Sequence, residues 1–332
     1  MRGSCFVGVA VRGDGATRCW ELMSLAAQIL ISSTQGGFRV VSQQGGEGSR
    51  MIGPGLNFDV AAQFQSAISG LLPEIGAFLL LAAIVNRNDL VGVVRRLLPA
   101  GCHVNVLSFL LDALLVAPLL GMGMVLMQRS VAWAWTGALD AMWAEFPKWL
   151  LLLVVLFVGD AIGYFRHRLE HCKWLWLFHE MHHSDRRMTW FSLYRFHPIN
   201  RLTTVFIDMG ALLLFGFPLW VIFMNALLRH YYGLFIHANL PWTYGALGRL
   251  FVSPAMHRWH HVRNGEGVGS NFATVFSVFD QWFGTWYVPS SCGAPLGVTG
   301  GGHDSFLHQI FSPFARLFRL RRPSGVGSDA VP

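Results

Sequence analysis

Long apolar stretches separated by short basic and aromatic clusters dominate the middle of the chain. Residues 104–127 and 149–165 carry one acid each, Asp112 and Asp160, and 202–238 has room for a hairpin of two short or tilted helices. A weaker stretch, 67–85, is interrupted by Pro73 and Glu74. A helix of about 20 residues crosses the hydrocarbon core of a bilayer. The pattern therefore predicts an all-α protein with about four membrane helices, the hairpin included. Residues 1–66 are rich in Gly, Ser and Gln with no sustained period, which predicts a disordered or loosely structured segment. Past residue 288, a Gly-rich linker (Gly293 to Gly302) leads into Phe306, Ile310, Phe314 and Phe318, spaced four apart and followed by Arg319, Arg321 and Arg322. That tail is expected either to lie on an anionic membrane surface or to pack on the rest of the chain. Pro313 is expected to start or kink it, and the last ten residues to be disordered. The predicted division is 1–66, a membrane-embedded domain over 67–288 with its core at 145–288, and a tail over 289–332.

Composition agrees with a membrane protein. Of 332 residues, 53% are hydrophobic and 13% charged, against roughly 25% charged in ordinary soluble domains. The net charge of +7 is concentrated beside the apolar stretches. Arg166, Arg168, Lys173, Arg186, Arg187, Arg195 and Arg201 precede the hairpin, and Arg249, Arg258 and Arg263 follow it. Basic flanks of apolar spans mark the cytoplasmic side, so both segments are expected there; Arg95 and Arg96 fall in a further cytoplasmic loop. Charges so placed argue against a nucleic-acid partner. The five cysteines are scattered, form no CxxC, and suggest neither a disulfide framework nor a cysteine metal site. Cys5 to Val11 is too short an apolar run for a secretory signal.

Fourteen histidines are present, and eight fall into three clusters: His167 and His171; His179, His182 and His183; His257, His260 and His261. Positions i, i+3 and i+4 share one face of a helix, so each cluster gathers its imidazoles into a small volume. Neutral imidazole is the commonest metal-binding side chain and suits iron, zinc and copper. Eight such groups exceed what one ion needs, which predicts a polynuclear site; two tetrahedral zinc ions would also use eight. Asp160, Tyr164, His167 and His171 form one helical stripe. Asp160 is thus placed to accept from a ligand's other ring N–H, or to pair with Arg166 or Arg168. Glu180 and His183 make one ExxH, but no second copy exists, against the soluble carboxylate-bridged di-iron pattern.

The strings DAIGYFRHRLEH (Asp160 to His171), LFHEMHHS (Leu177 to Ser184), RFHP (Arg195 to Pro198), FIHANLP (Phe235 to Pro241), SPAMHRWHH (Ser253 to His261) and NFATVFSVFDQWFGT (Asn271 to Thr285) resemble, in order, the fatty acid hydroxylase superfamily, also called the sterol desaturase family. The resemblance covers about 145–288. It implies a membrane-bound, non-haem di-iron oxygenase that uses O2 to hydroxylate or desaturate a lipid C–H bond. Its ligands would be the eight clustered histidines plus His237, with Asn239 nearby in a water-mediated role and His197 in a structural or supporting one. Some relatives place another histidine where this chain has Gly233; His230, two turns before His237, is a substitute. His103, His303 and His308 are read as bystanders. Two iron ions are the implied cofactor, with zinc a possible occupant. No flavin or nicotinamide fingerprint is visible, and HPIN at His197 is not the HPGG of a fused cytochrome b5. Electrons would come from an external donor, a cytochrome b5-like protein or a ferredoxin with its reductase. The rival reading is a zinc-stabilised, non-redox membrane protein that binds lipid.

Overall fold

Long apolar runs make helix the rule here. The computed structural model describes residues 60–85, 102–134, 138–300 and 304–321. It holds no strand among the described residues, only two isolated bridges. Among the described residues, four helices are long and apolar enough to cross a bilayer: Ala61–Val85, Cys102–Val131, Lys148–Glu170 and Leu219–His237. Many of their outward side chains are apolar and exposed, among them Leu80, Leu119, Leu126 and Leu153, as contact with lipid requires.

Helix α1 (Val60–Val85) contains Pro73 and Glu74. It starts before residue 67, so residues 60–66, assigned above to the N-terminal region, are helical; residues 1–59 lie outside the described residues. Glu74 interrupts the apolar run because it serves as an anchor. The Tyr194 hydroxyl donates to its Oε2 at 2.5 Å, His230 Nε2 lies 3.2 Å from its Oε1, and Phe78 stacks on Trp190 at 4.8 Å. Trp190–Tyr194 is a 3₁₀ turn.

Helices α2 (Cys102–Leu111) and α3 (Ala117–Ala134) are joined by a π-turn at Asp112–Val116, which opens on the acid that receives both Nε and Nη2 of Arg201. A short α4 (Ala138–Ala144) leads to α5 (Lys148–Glu170). The predicted hairpin forms unequally. Its first arm is α7 (Pro198–Thr203), a π-turn (Thr204–Met209) and α8 (Gly210–Leu214), and its second is α9 (Leu219–His237). Only the second arm is long and apolar enough to span. The first carries Arg201 and Asp208, both committed to ion pairs. The reversal uses Gly216 at φ +69°, a conformation that costs glycine little.

A buried charge chain ties the arms to α5. Arg166 donates to Glu170 at 2.6 Å and to Asp208 at 2.7 Å; Arg229 donates to Asp208 at 2.9 Å and lies 3.4 Å from Asp160. Two glycines admit α9. A Cβ on Gly159 would meet Asn225 at 2.7 Å, and one on Gly163 would meet Arg229 Nη2 at 1.8 Å. Uncoupling one member of a buried ion pair costs about 3–5 kcal/mol. Gly163→Ala, which must push the guanidinium out of the chain, is therefore expected to cost about 3 kcal/mol; a thermal melt in detergent that matches the parent protein would contradict this.

Helix α6 (Lys173–His183) and α10 (Pro254–His260) cap the ends of α5 and α9, and α11 (Val278–Trp282) closes the loop after α10. The Gly-rich stretch is no free linker over its described part. Leu296 and Val298 are buried, and the Arg263 and Gly297 amides donate to Pro295 and His261 carbonyls. Tail helix α12 (Phe306–Arg321) holds Pro313 inside it and packs on α6. Phe314 meets Phe178, Ser184 donates to Gln309, and Arg316 pairs with Glu180. Leu307, Phe311 and Phe318 stay exposed on its outer side. The predicted disorder of the last ten residues, like Arg95 and Arg96, lies outside the described residues.

Candidate metal centre

The histidines lie on two long membrane helices and two short ones, and a side-chain cap sets the register of the shortest. In α10, Ser253 accepts from the Met256 amide and Pro254 occupies the first turn, an arrangement suited to a helix start. It fixes His257, His260 and His261 toward the interior. His167 opens the last turn of α5, His171 is that helix's C-cap, and His237 is the last residue of α9.

Nine imidazoles converge in two groups. His167, His171, His179, His183 and His260 form one; His182, His237, His257 and His261 form the other, with the candidate ligand atoms of each group within 4.8 Å of one another. All are buried except His171, which is half-buried. Neighbours in sequence go to different groups. In α6 the i, i+4 pair His179 and His183 serves the five-membered group while His182 serves the other. In the last cluster His257 and His261 serve the four-membered group while His260 crosses to the first.

The ring nitrogens show what belongs between them. His167 Nδ1 lies 2.8 Å from the Phe272 carbonyl, His260 Nδ1 2.6 Å from that of Ser270, and His237 Nδ1 2.7 Å from that of Gly233. A carbonyl only accepts, so each Nδ1 carries the proton and each Nε2 a bare lone pair. Yet His167 and His260 Nε2 stand 3.0 Å apart, with no hydrogen to place between them. Two lone pairs at that distance repel unless a cation lies between. The other close Nε2 pairs are separated by 3.1–3.2 Å, and ligands at right angles with bonds of about 2.1 Å sit about 3 Å apart. His171 Nε2 is buried with no hydrogen-bond partner. The donor set fits metal.

Burial keeps these rings neutral. It pushes His171, His179, His182, His183, His257 and His261 well below the ordinary histidine range, with the neighbouring imidazoles adding to the shift. Burial lowers His260 to about 4, against the opposing pull of the Ser270 carbonyl.

A second layer holds the first. Glu170 Oε2 lies 3.4 Å from His179 Nδ1, with the Asn200 side-chain amide 3.2 Å from the same nitrogen. The loop carrying the Ser270 and Phe272 carbonyls is pinned at several points. Asn271, at φ +59°, donates to Met256 and Tyr287 carbonyls. Asp280 accepts from the Phe272 and Ala273 amides and from Thr285. Burial raises the Asp280 carboxyl to about 6, with Thr285 and the two amides opposing it. Asp160 takes the Val275 and Phe276 amides at 3.0 and 2.7 Å. It faces Arg229 and neither a histidine nor Arg166 or Arg168, because the stripe on α5 turns it to the loop.

His197 Nε2 lies 3.0 Å from the Ile310 carbonyl, and its Nδ1 accepts from the Ile199 amide as the cap of α7. Asn239 is exposed. His230 sits with Glu74, away from both groups, and Gly233 packs against Leu193. Cys172 is exposed. His103 Nε2 contacts the Asp304 carbonyl, and His303 lies outside the described residues. Glu170 and Asn200 escaped the sequence reading. Glu170 precedes His171 in the RLEH string and is the one acid there with a usable signal; the carbonyls of residues 270 and 272 have none.

Residues 152–285 match the family model described as Fatty acid hydroxylase. That segment is a fatty acid hydroxylase domain by sequence. Ornithine lipid hydroxylase OlsE of Rhizobium tropici is 32% identical over 178 residues, 53% of this chain and 54% of that protein. Alkylglycerol monooxygenase of Caenorhabditis elegans is 24% identical over 200 residues, 60% of this chain and 38% of the relative. Methylsterol monooxygenase 1-3 of Arabidopsis thaliana is 28% identical over 142 residues, 40% of this chain and 47% of the relative. The matched stretch thus spans about half or less of each of these relatives. No solved structure matches the chain. The hydroxylase match holds all nine convergent histidines along with Glu170 and Asn200. Outer partners of histidine ligands typically change metal affinity 10–100-fold. Glu170→Gln is expected to weaken metal retention by about tenfold, read by chelator competition; unchanged retention would leave His179 oriented by Asn200 alone.

Proposed function

We propose that this chain is an integral-membrane, non-haem di-iron oxidoreductase that uses O2 and external electrons to hydroxylate a C–H bond of a lipid. The observation that carries the reading is the sorting of nine imidazoles into groups of five and four, ε-nitrogens inward. His167, His171, His179, His183 and His260 would hold one ion, and His182, His237, His257 and His261 the other. Five donors exceed the four of a tetrahedral zinc site, which favours iron over zinc. Bound there, iron supplies the redox chemistry that lets O2 react with an unactivated C–H bond; the balance is RH + O2 + 2 e⁻ + 2 H⁺ → ROH + H2O.

The chain's own part is to hold and to exclude. Carbonyls of Gly233, Ser270 and Phe272 keep the δ-nitrogens protonated and the ε-nitrogens free. Phe272 and Phe196 pack on the rings and keep water out: Phe272 lies 5.0–5.6 Å from His167, His171 and His260, and Phe196 stacks on His182 at 4.4 Å. The charge chain under α5 ties the centre to the membrane helices. The basic flanks favour a centre on the cytoplasmic side, where a soluble or membrane-anchored electron carrier would reach it. The relatives reported above are named as hydroxylase and monooxygenases, which favours hydroxylation over desaturation.

Protein purified from iron-supplied cells is expected to contain about two irons per chain and to consume O2 with a membrane-lipid extract and a reductant, adding one oxygen to a lipid's mass. Zinc alone, with no oxygen uptake on any lipid, would point instead to a non-redox lipid-binding protein.

A further inference from the structure

A surface cavity is lined in part by one of the nine histidines, His171. It measures about 640 Å³, within the range of small-molecule sites. His171, Trp176, Leu177 and Val268 line it together with Lys173 and Arg316. No acidic residue lines it. That histidine is the one whose Nε2 has no hydrogen-bond partner and whose ring lies 4.9 Å from Trp176. Around it, Trp174 and Val268 are exposed. The cavity thus combines apolar walls, two cations and one edge of the five-histidine group, the His171 ring.

The cations differ in their ties. Lys173, exposed at the first position of α6, has no carboxylate partner among the described residues; its ammonium lies 5.9 Å from the Trp174 ring. Arg316 comes from α12 and pairs with Glu180, a neighbour of His179 that no ligand contact uses. An anion entering the cavity would therefore meet one free cation and one half-exposed cation already paired with a mostly buried carboxylate.

We infer that this cavity takes the acidic head of the substrate, a carboxylate or phosphate, on Lys173 and Arg316. The rest of the lipid leaves past Trp174 and Val268. The inference rests on the lipid-oxygenase reading and sharpens it. Because the cations and His171 line one small cavity, the C–H bond offered to the histidines lies close to the acidic group, not far along an acyl chain. Charge-assisted hydrogen bonds are among the stronger ones.

The test uses the full-length, metal-loaded protein in non-ionic detergent and titrates it calorimetrically with dodecyl phosphate, dodecanoate, dodecanol, dodecyltrimethylammonium and inorganic phosphate. The anionic amphiphiles are expected to bind about tenfold tighter than dodecanol. Lys173→Gln should remove most of that preference and leave dodecanol binding unchanged. Arg316→Gln should act alike, and Glu180→Gln, which frees Arg316, should tighten the anionic probes several-fold. Equal binding of all amphiphiles, or indifference to Lys173→Gln and Glu180→Gln, would overturn the assignment. So would inorganic phosphate binding as tightly as dodecyl phosphate, which would mark a site for free anions, or a product hydroxylated in mid-chain. Absence of O2 uptake on every lipid would count against the oxygenase and not against the binding result, since the titration requires no turnover.

Discussion

Replacing His260 with alanine is expected to leave about one metal ion per chain and to cut lipid oxidation by more than about 100-fold, beyond the 10–100-fold typical of lost outer partners. His260 alone among the last cluster reaches the five-histidine group, and its Nε2 faces that of His167 at 3.0 Å. His182→Ala should do the same to the four-histidine group, where its Nε2 lies 3.2 Å from that of His237. The two variants should therefore lose different ions, which isotope-labelled metal uptake and iron spectroscopy would separate. Two ions retained with normal turnover in either variant would remove the basis of the oxygenase reading. His103→Ala, at a ring that only touches the Asp304 carbonyl, serves as the silent control.

Acid should unfold the metal-depleted protein far from the usual carboxylate range. The sign follows from which state binds protons first. In the unfolded chain a histidine titrates near 6.5; in the fold, burial lowers His260 to about 4. As pH falls below 6.5 the unfolded state takes up a proton that the folded state refuses, so stability is intact above that value and drains away down to about 4. For His260 alone the loss is about 3 kcal/mol over the window. His171, His179, His182, His183, His257 and His261 shift in the same direction. The melting temperature of chelator-treated protein should therefore drop steeply as pH falls from about 6.5 toward 4. The metal-loaded protein should hold its melting temperature further into acid, because protons must first displace the metal. A melting temperature independent of pH after chelation would mean that the rings are not buried as described.

Much of this was legible in the residues. Imidazoles at helical spacing, in a chain poor in other polar groups, announce a metal site wherever they fall, and the apolar runs announce the spans. The division of labour was not. Whether His182 joins His179 or His257 depends on how α6 and α10 face each other across the ends of α5 and α9, and spacing within one helix carries no such information. Asp160 was misjudged for a related reason. Its true partners are the amides of residues 275 and 276, 115 and 116 positions away, and an amide leaves no mark in sequence. Glu74 read as a flaw in the first apolar run because its partners, Tyr194 and His230, lie 120 and 156 residues downstream. The hairpin's first arm fell short of a span for the opposite reason, since Arg201 and Asp208 were visible polar residues whose commitments were hidden.

The crossing of His182 and His260 between groups has a bearing on biosynthesis. Neither segment flanking the hairpin contains a whole coordination sphere, so nothing emerging from the ribosome before residue 261 can capture either ion in its final surroundings. Metallation thus belongs to the end of maturation, after α9 has brought the chain back. Halves severed at Gly216 should each remain empty until reunited.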